Sequence, residues 1–277
     1  MNWKTIFTIA KKDIQEARQN KSVWMPILIV PLFFVLLIPV GTIIGMSQAG
    51  PKATEMLSDP DMAKFLMNMP PAMTQSIQGL TPVQSGLVVM LGYFFAPFFL
   101  IMPLMYSTVI ASESFAGERE RKTIEAILYT PVSDTELFLG KVLAGFLPAV
   151  TISWASFVAY TIVLNAAGFP IMGRLWFPLT NWYPLMFWVS PALSLLGIAV
   201  TVLISAKVQT FMGAYQTSAS LVVLVLALLV GQITGVLYLS VLVGLLLGVV
   251  IWVIAIIMMI YAIRTFNREK LLISTVS

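Results

Sequence analysis

The chain has no cysteine and no histidine among its 277 residues. Disulfides, thiol nucleophiles and imidazole general bases are therefore excluded, as are most transition-metal sites. Charge is scarce as well: charged residues are 10% of the chain, against ~25% in soluble domains. Hydrophobic residues reach 59%, a balance that fits lipid rather than water as the solvent and excludes a soluble fold. The 16 basic and 12 acidic side chains give a net charge of +4. They lie between apolar runs, so this charge describes segments flanking a membrane and implies no nucleic-acid partner.

What is present is a set of apolar runs. A helix needs ~20 apolar residues to cross a hydrocarbon layer of ~30 Å, and six stretches qualify: Val23–Met46, Gly86–Ala111, Val142–Leu164, Pro184–Ala206, Phe211–Val230 and Val236–Ile263. Only Gly231 to Gly235 separate the last two, which leaves room for one of them to be re-entrant. The first run is too long for the apolar core of a signal peptide and follows a polar segment. In lipid each backbone polar group must be satisfied within its own segment. The expected fold is thus an all-α membrane protein, a six-helix transmembrane bundle forming a single domain over residues 1–277.

Basic residues orient the bundle. Lys4, Lys11, Lys12, Arg18, Lys21, Arg119, Arg121, Lys122, Lys141, Lys207, Arg264, Arg268 and Lys270 fall on one side; only Lys52, Lys64 and Arg174 fall on the other. The positive-inside rule then places both termini in the cytoplasm of a multi-pass protein of the cell membrane, with Trp176, Trp182, Tyr183 and Trp188 at the outer interface. Within residues 2–20, Trp3, Ile6, Phe7, Ala10, Ile14 and Ala17 recur at helical spacing, with Lys4, Lys11, Lys12 and Arg18 on other faces. That pattern predicts an amphipathic helix lying in the interface, as an anchor or as a contact for a cytoplasmic partner. The outer loop, residues 47–85, is punctuated by five prolines and carries Met56, Met62, Met67, Met69 and Met73. Thioethers can bind soft metals, but methionine is frequent throughout this chain and more often fills packing gaps, so no metal site is assigned.

The segment 113–141, ESFAGERERKTIEAILYTPVSDTELFLGK, is too charged for lipid. Residues 118–129 favour a short helix with an apolar ridge of Ile124, Ile127 and Leu128. Pro131 ends it, and Ser133 with Glu136 forms a capping box for the next helix. The ridge can pack on the protein's own spans or on a partner. The run Glu118-Arg119-Glu120, Thr123-Ile124-Glu125, Thr130-Pro131-Val132-Ser133 and Gly140-Lys141 resembles the signature after the second span in permease subunits of the type-2 ABC transporter family. The interfacial helix and six spans extend the likeness over most of the chain. The resemblance implies a pair of permeases, identical or different, working with two nucleotide-binding ATPase subunits. It also implies a cytoplasmic coupling helix that contacts the ATPase through Glu118, Arg119, Glu120, Arg121, Thr123, Ile124 and Leu128, with the N-terminal helix as a second contact. Many relatives have glycine where Lys122 stands, so the start of the coupling helix is not defined by this pattern.

No residue of the chain is assigned a catalytic role. Gly140-Lys141 lacks the upstream glycine of a phosphate loop, and Val142 replaces its magnesium-binding hydroxyl, so ATP and Mg are expected on the partner subunit. The spans hold no charge in their central thirds, and Glu113 and Lys141 are expected to reach the interface from span ends. A lining of Tyr93, Phe94, Phe98, Tyr106, Ser153, Trp154, Thr217 and Ser218 suits an amphipathic or lipid-like cargo, and the same residues also suit helix packing. Pro26, Pro31, Pro39, Pro97 and Pro103 are expected to bend the first two spans. The function expected is the permease of an ATP-driven exporter working by alternating access; the alternative is a membrane scaffold that recruits a cytoplasmic protein.

Overall fold

Lengths and caps written into the sequence account for where each helix starts and stops. The computed structural model describes residues 2–49, 59–121, 132–208 and 210–265. Asn2 caps α1 (Trp3–Gln19), its side chain accepting from the Lys4 amide. Asn20 ends α1 and opens α2 (Lys21–Gln48), its Oδ1 accepting from Ser22 N at 3.0 Å. Two short helices, α3 (Pro60–Met67) and α4 (Pro71–Ile77), follow on the other side. The remaining long helices are α5 (Pro82–Glu120), α6 (Asp134–Met172), α7 (Trp182–Ser205), α8 (Phe211–Ile233) and α9 (Val241–Arg264).

Six of these helices, α2 and α5 to α9, are long and apolar enough to cross a membrane. Together they make an all-α membrane bundle, and no strand occurs among the described residues. Both α8 and α9 have spanning length, and the turn between them is made by Gly235 with φ +72°, a left-handed conformation that glycine adopts without penalty.

Two helices exceed the requirement for a span. α5 and α6 have 39 residues each, about 58 Å at ~1.5 Å per residue, roughly twice the hydrocarbon thickness. They project beyond the apolar layer, and their charged ends, expected as separate short helices of a cytoplasmic connection, are continuous with the spans. Ser133 opens α6 with the expected capping box, Ser133 Oγ accepting from Glu136 N and Glu136 Oε2 from Ser133 N, both at 3.3 Å. Gly173, at φ +66°, closes the same helix.

The core is built on α5 and α7, of whose apolar windows 78% and 67% are buried; the figures are 44% for α6 and only 22%, 17% and 22% for α2, α8 and α9. α7 packs against α5 and α9, α6 against α5, and α1 lies along α6. Wide π-turns interrupt the helices at Leu32–Leu37, Val88–Phe94, Glu113–Gly117 and Leu185–Val189. The first follows Pro31 and the last Pro184, consistent with proline disturbing the hydrogen-bond ladder. In the turn at Val88–Phe94, three successive carbonyls accept side-chain hydrogen bonds. Tyr160 Oη of α6 donates to Leu91 O at 2.9 Å, Trp182 Nε1 of α7 to Gly92 O at 2.6 Å, and Gln232 Nε2 of α8 to Tyr93 O at 2.7 Å. Pro97 cannot supply the amide that a regular helix would direct at Tyr93 O, so the glutamine fills that place. Rings of Phe95, Phe99, Phe157, Phe177, Tyr160 and Trp182 stack around the junction with centroids 4.9–6.2 Å apart.

Candidate coupling site

The basic end of the bundle gathers the charges that the sequence spreads over three segments. Its foundation is the inward face of α1, where Ile6, Ala10, Asp13 and Ala17 are buried. Trp3 and Phe7, expected on the same stripe, instead point outward at 57% and 55% exposure. The inward face meets α6 at Gly140, where an added Cβ would lie 2.7 Å from Ile9 Cβ and Cγ2 and 3.1 Å from Ile6 O. Glycine is thus what lets α1 lie against α6, and it brings Lys141 beneath Asp13.

Lys141 does not reach outward, as expected from its position at a span end; it is 2% exposed. Its Nζ donates to Asp13 Oδ2 at 3.2 Å, Ser114 O at 2.6 Å and Glu118 Oε2 at 2.6 Å. It also lies 5.6 Å from the centroid of the Phe115 ring. All three ammonium protons have acceptors, the condition under which a buried cation is tolerated. Ser114 Oγ adds a donor to Asp13 Oδ2. Glu113, also expected to reach the interface, is 3% exposed; Arg121 Nη1 donates to its Oε1 at 2.6 Å and Asn20 Nδ2 to its Oε2 at 3.0 Å.

A second cation covers the cluster. Lys12 Nζ lies 2.8 Å from Glu118 Oε1, 3.1 Å from Glu16 Oε1 and 3.5 Å from Asp13 Oδ1. Partial burial works to lower its pKa, but the Glu118, Asp13 and Glu16 carboxylates outweigh that, holding it above the ordinary lysine value. Asp13, Glu16 and Glu118 are close enough to ligate a hard cation together, yet the Lys12 ammonium already sits within 3.5 Å of all three. Lys12 and Lys141 balance Asp13 and Glu118, and Arg121 balances Glu113.

The end of α5 distributes its side chains to four places in four residues. Glu118 is 1% exposed and joins α6 and α1 through Lys141 and Lys12. Arg119 Nη1 donates to Ser205 O, at the end of α7, at 2.6 Å. Glu120 Oε2 accepts from Phe211 N, the first residue of α8, at 2.8 Å. Arg121 folds back on Glu113. Successive helical residues point ~100° apart, and here three of the four directions meet another element while Arg121 returns to α5 itself. The helix expected at 118–129 therefore has its first three residues as the continuation of α5. Thr123, Ile124 and Leu128 lie outside the described residues. At the far side of the cluster Glu136 Oε1 accepts from Asn2 N at 2.6 Å, tying the start of α1 to the start of α6.

The residues read from the sequence as cargo lining occupy separate places. Tyr93 is buried with its hydroxyl 2.9 Å from Ser76 Oγ. Phe94 is half-buried, and Phe98 lies against Phe34 of α2 with centroids 6.1 Å apart. Tyr106 is fully buried. Trp154 Nε1 donates to Met186 O at 2.8 Å, at the α6–α7 contact. Thr217 is exposed and donates to Gly213 O at 2.8 Å, while Ser153 and Ser218 are buried. The methionines of the outer loop do not converge either: Met69 and Met73 are in the core and Met67 is 85% exposed, while Met56 and the Met62 side chain lie outside the described residues.

Sequence reading missed the network as a unit. The available signal was Asp13 in helical phase with Ile6, Ala10 and Ala17, a carboxylate on an apolar face that requires a buried partner. No curated protein matches the chain. Residues 7–242 match the family model described as ABC-2 family transporter protein, so the chain belongs to the ABC-2 family of transporter proteins and is a membrane component of that kind of transporter.

Proposed function

We propose that this chain is the permease of an ABC exporter, moving an amphipathic or lipid-like cargo by alternating access under the drive of separate ATP-hydrolysing subunits. Its basic end faces the cytoplasm and it pairs with a second permease. The observation that supports this reading most is the convergence on the last turn of α5. Side chains there grip α1, α6, α7 and α8, and the chain then leaves into residues 122–131. A force applied to that segment by a nucleotide-driven partner would reach four helices through short, charge-assisted bonds. Since Glu118, Arg119 and Glu120 are engaged inside the subunit, Thr123, Ile124 and Leu128 are the proposed contacts with the ATPase.

An apolar cavity of about 200 Å³ lies between α5 and α8, lined by Ile101, Leu104, Met105, Thr108, Tyr215 and Ala219 among others. It offers a place for the apolar part of a cargo beside the lightly packed α8. The test of coupling is Ile124→Asp, with ATPase co-purification and transport in reconstituted vesicles as readouts. Loss of both is expected, and undisturbed assembly with undisturbed transport would refute the contact.

A further inference from the structure

A second feature of the basic end is independent of coupling. Where α1 turns into α2, the side chains of Ile14, Ala17, Trp24 and Ile27 face Ile110 of α5 and Ile152 of α6 across an apolar slot of about 100 Å³. Pro148 forms part of its wall. Water needs only ~10–15 Å³ of such space, but it also needs two to four polar partners, and apart from Arg18 the lining is apolar. Arg18 is the one charged residue of the lining. It is exposed, and among the described residues it forms no ion pair. Lys11 lies two turns back on the same face of α1, and Lys21 opens α2 three residues on; both are exposed. No carboxylate lines the slot.

An apolar slot with a free guanidinium at its mouth, flanked by two further cations, matches a molecule with a hydrocarbon tail and an anionic head. We propose that this slot is a binding site for an anionic phospholipid of the leaflet on the basic side, one acyl chain entering between α1, α2 and α6 and the phosphate meeting Arg18. Lipid is the solvent of these helices, so the ligand is present at saturating concentration without a separate delivery step. Arginine suits the role because its planar fork donates two parallel bonds to phosphate oxygens, and its stem can run along the slot while the head stays at the interface. The site requires only that α1 lie at the membrane surface and does not depend on transport.

Trp24 in the wall provides the probe. The full chain is placed in phosphatidylcholine nanodiscs containing increasing amounts of phosphatidylglycerol brominated on one acyl chain, and in a parallel series brominated phosphatidylcholine. Tryptophan quenching is measured in the unaltered chain and in Trp24→Phe, and the difference isolates Trp24. The expected result is quenching of Trp24 at lower mole fraction by the anionic lipid. That preference should fall about five-fold in Arg18→Gln and survive in Arg18→Lys. Equal quenching by the two lipids, a preference unchanged in Arg18→Gln, or no quenching of Trp24 by either lipid would overturn the proposal. Because Arg18 is exposed, its variants are expected to keep the melting temperature of the parent, which separates loss of binding from loss of fold.

Discussion

Replacing Lys141 with methionine would leave the carboxylates of Asp13 and Glu118, both nearly inaccessible, without their shared inner cation. Removing one partner of a buried pair costs about 3–5 kcal/mol, mostly as the penalty on the charge left behind. The expected result is a large drop in thermal stability of the purified protein. Adding Asp13→Asn to Lys141→Met should cost less than the sum of the two single changes, because each removes the reason the other is harmful; strict additivity would show that the two residues are not coupled. At Gly140, alanine would set its Cβ against Ile9 Cβ, an atom fixed to the backbone of α1, whereas alanine at Gly145 meets Ile198 Cδ1 at 3.3 Å, the movable tip of a side chain. Overpacking of the first kind costs ~1–3 kcal/mol. Gly140→Ala should therefore loosen α1, seen as faster proteolysis within residues 2–20, while Gly145→Ala should leave cleavage near the parent rate.

Helices rather than single side chains determine how the bundle is held, and α5 is the one with most at stake. The Leu91, Gly92 and Tyr93 carbonyls depend on donors from three other helices. Gln232→Leu keeps the volume of α8 similar but deprives Tyr93 O of its side-chain donor, leaving it the shared amide of Phe95. Loss of a buried hydrogen bond costs about 0.5–1.5 kcal/mol, so the melting temperature should fall, and Tyr160→Phe, which removes the donor to Leu91 O, should act in the same direction. Existence and order of the spans were legible in the chain because lipid imposes a long, nearly charge-free run on every crossing helix. Ends were less legible for the same reason. Hydropathy marks where lipid stops, and α5 and α6 go on as helix past that point, carrying Glu113, Glu118 and Lys141 into a protein interior that hydropathy does not see. The capping box at Ser133 and Glu136 was readable because its two residues are neighbours in sequence. The pairing of Asp13 with Lys141 joins residues 128 apart, and no local pattern encodes a contact at that distance. The same reason separates the aromatic and hydroxyl residues read as one lining: composition identified polar groups in apolar spans, but which way each faced was decided by its neighbours.

For the orientation of the bundle, absence of cysteine becomes an experimental asset. A single cysteine placed at Arg174 or at Lys207, both exposed, would be the only thiol in the protein. The orientation proposed from the basic residues predicts that a membrane-impermeant thiol reagent labels Arg174→Cys in intact cells and reaches Lys207→Cys only after permeabilisation; the reverse pattern would invert the whole assignment. Sparse burial of α2, α8 and α9 within one chain leaves broad apolar faces on these helices, which the pairing proposed above would cover in part.

The donors that complete the wide turn of α5 all come later in the polypeptide: Tyr160, then Trp182, then Gln232. During synthesis α5 is made before any of them, and the carbonyl of Tyr93 must wait for most of the remaining chain to be made before its glutamine arrives. The helix at the centre of the finished protein is thus completed only by residues that follow it in the chain, and a chain truncated before residue 232 would lack the side-chain donor to Tyr93 O.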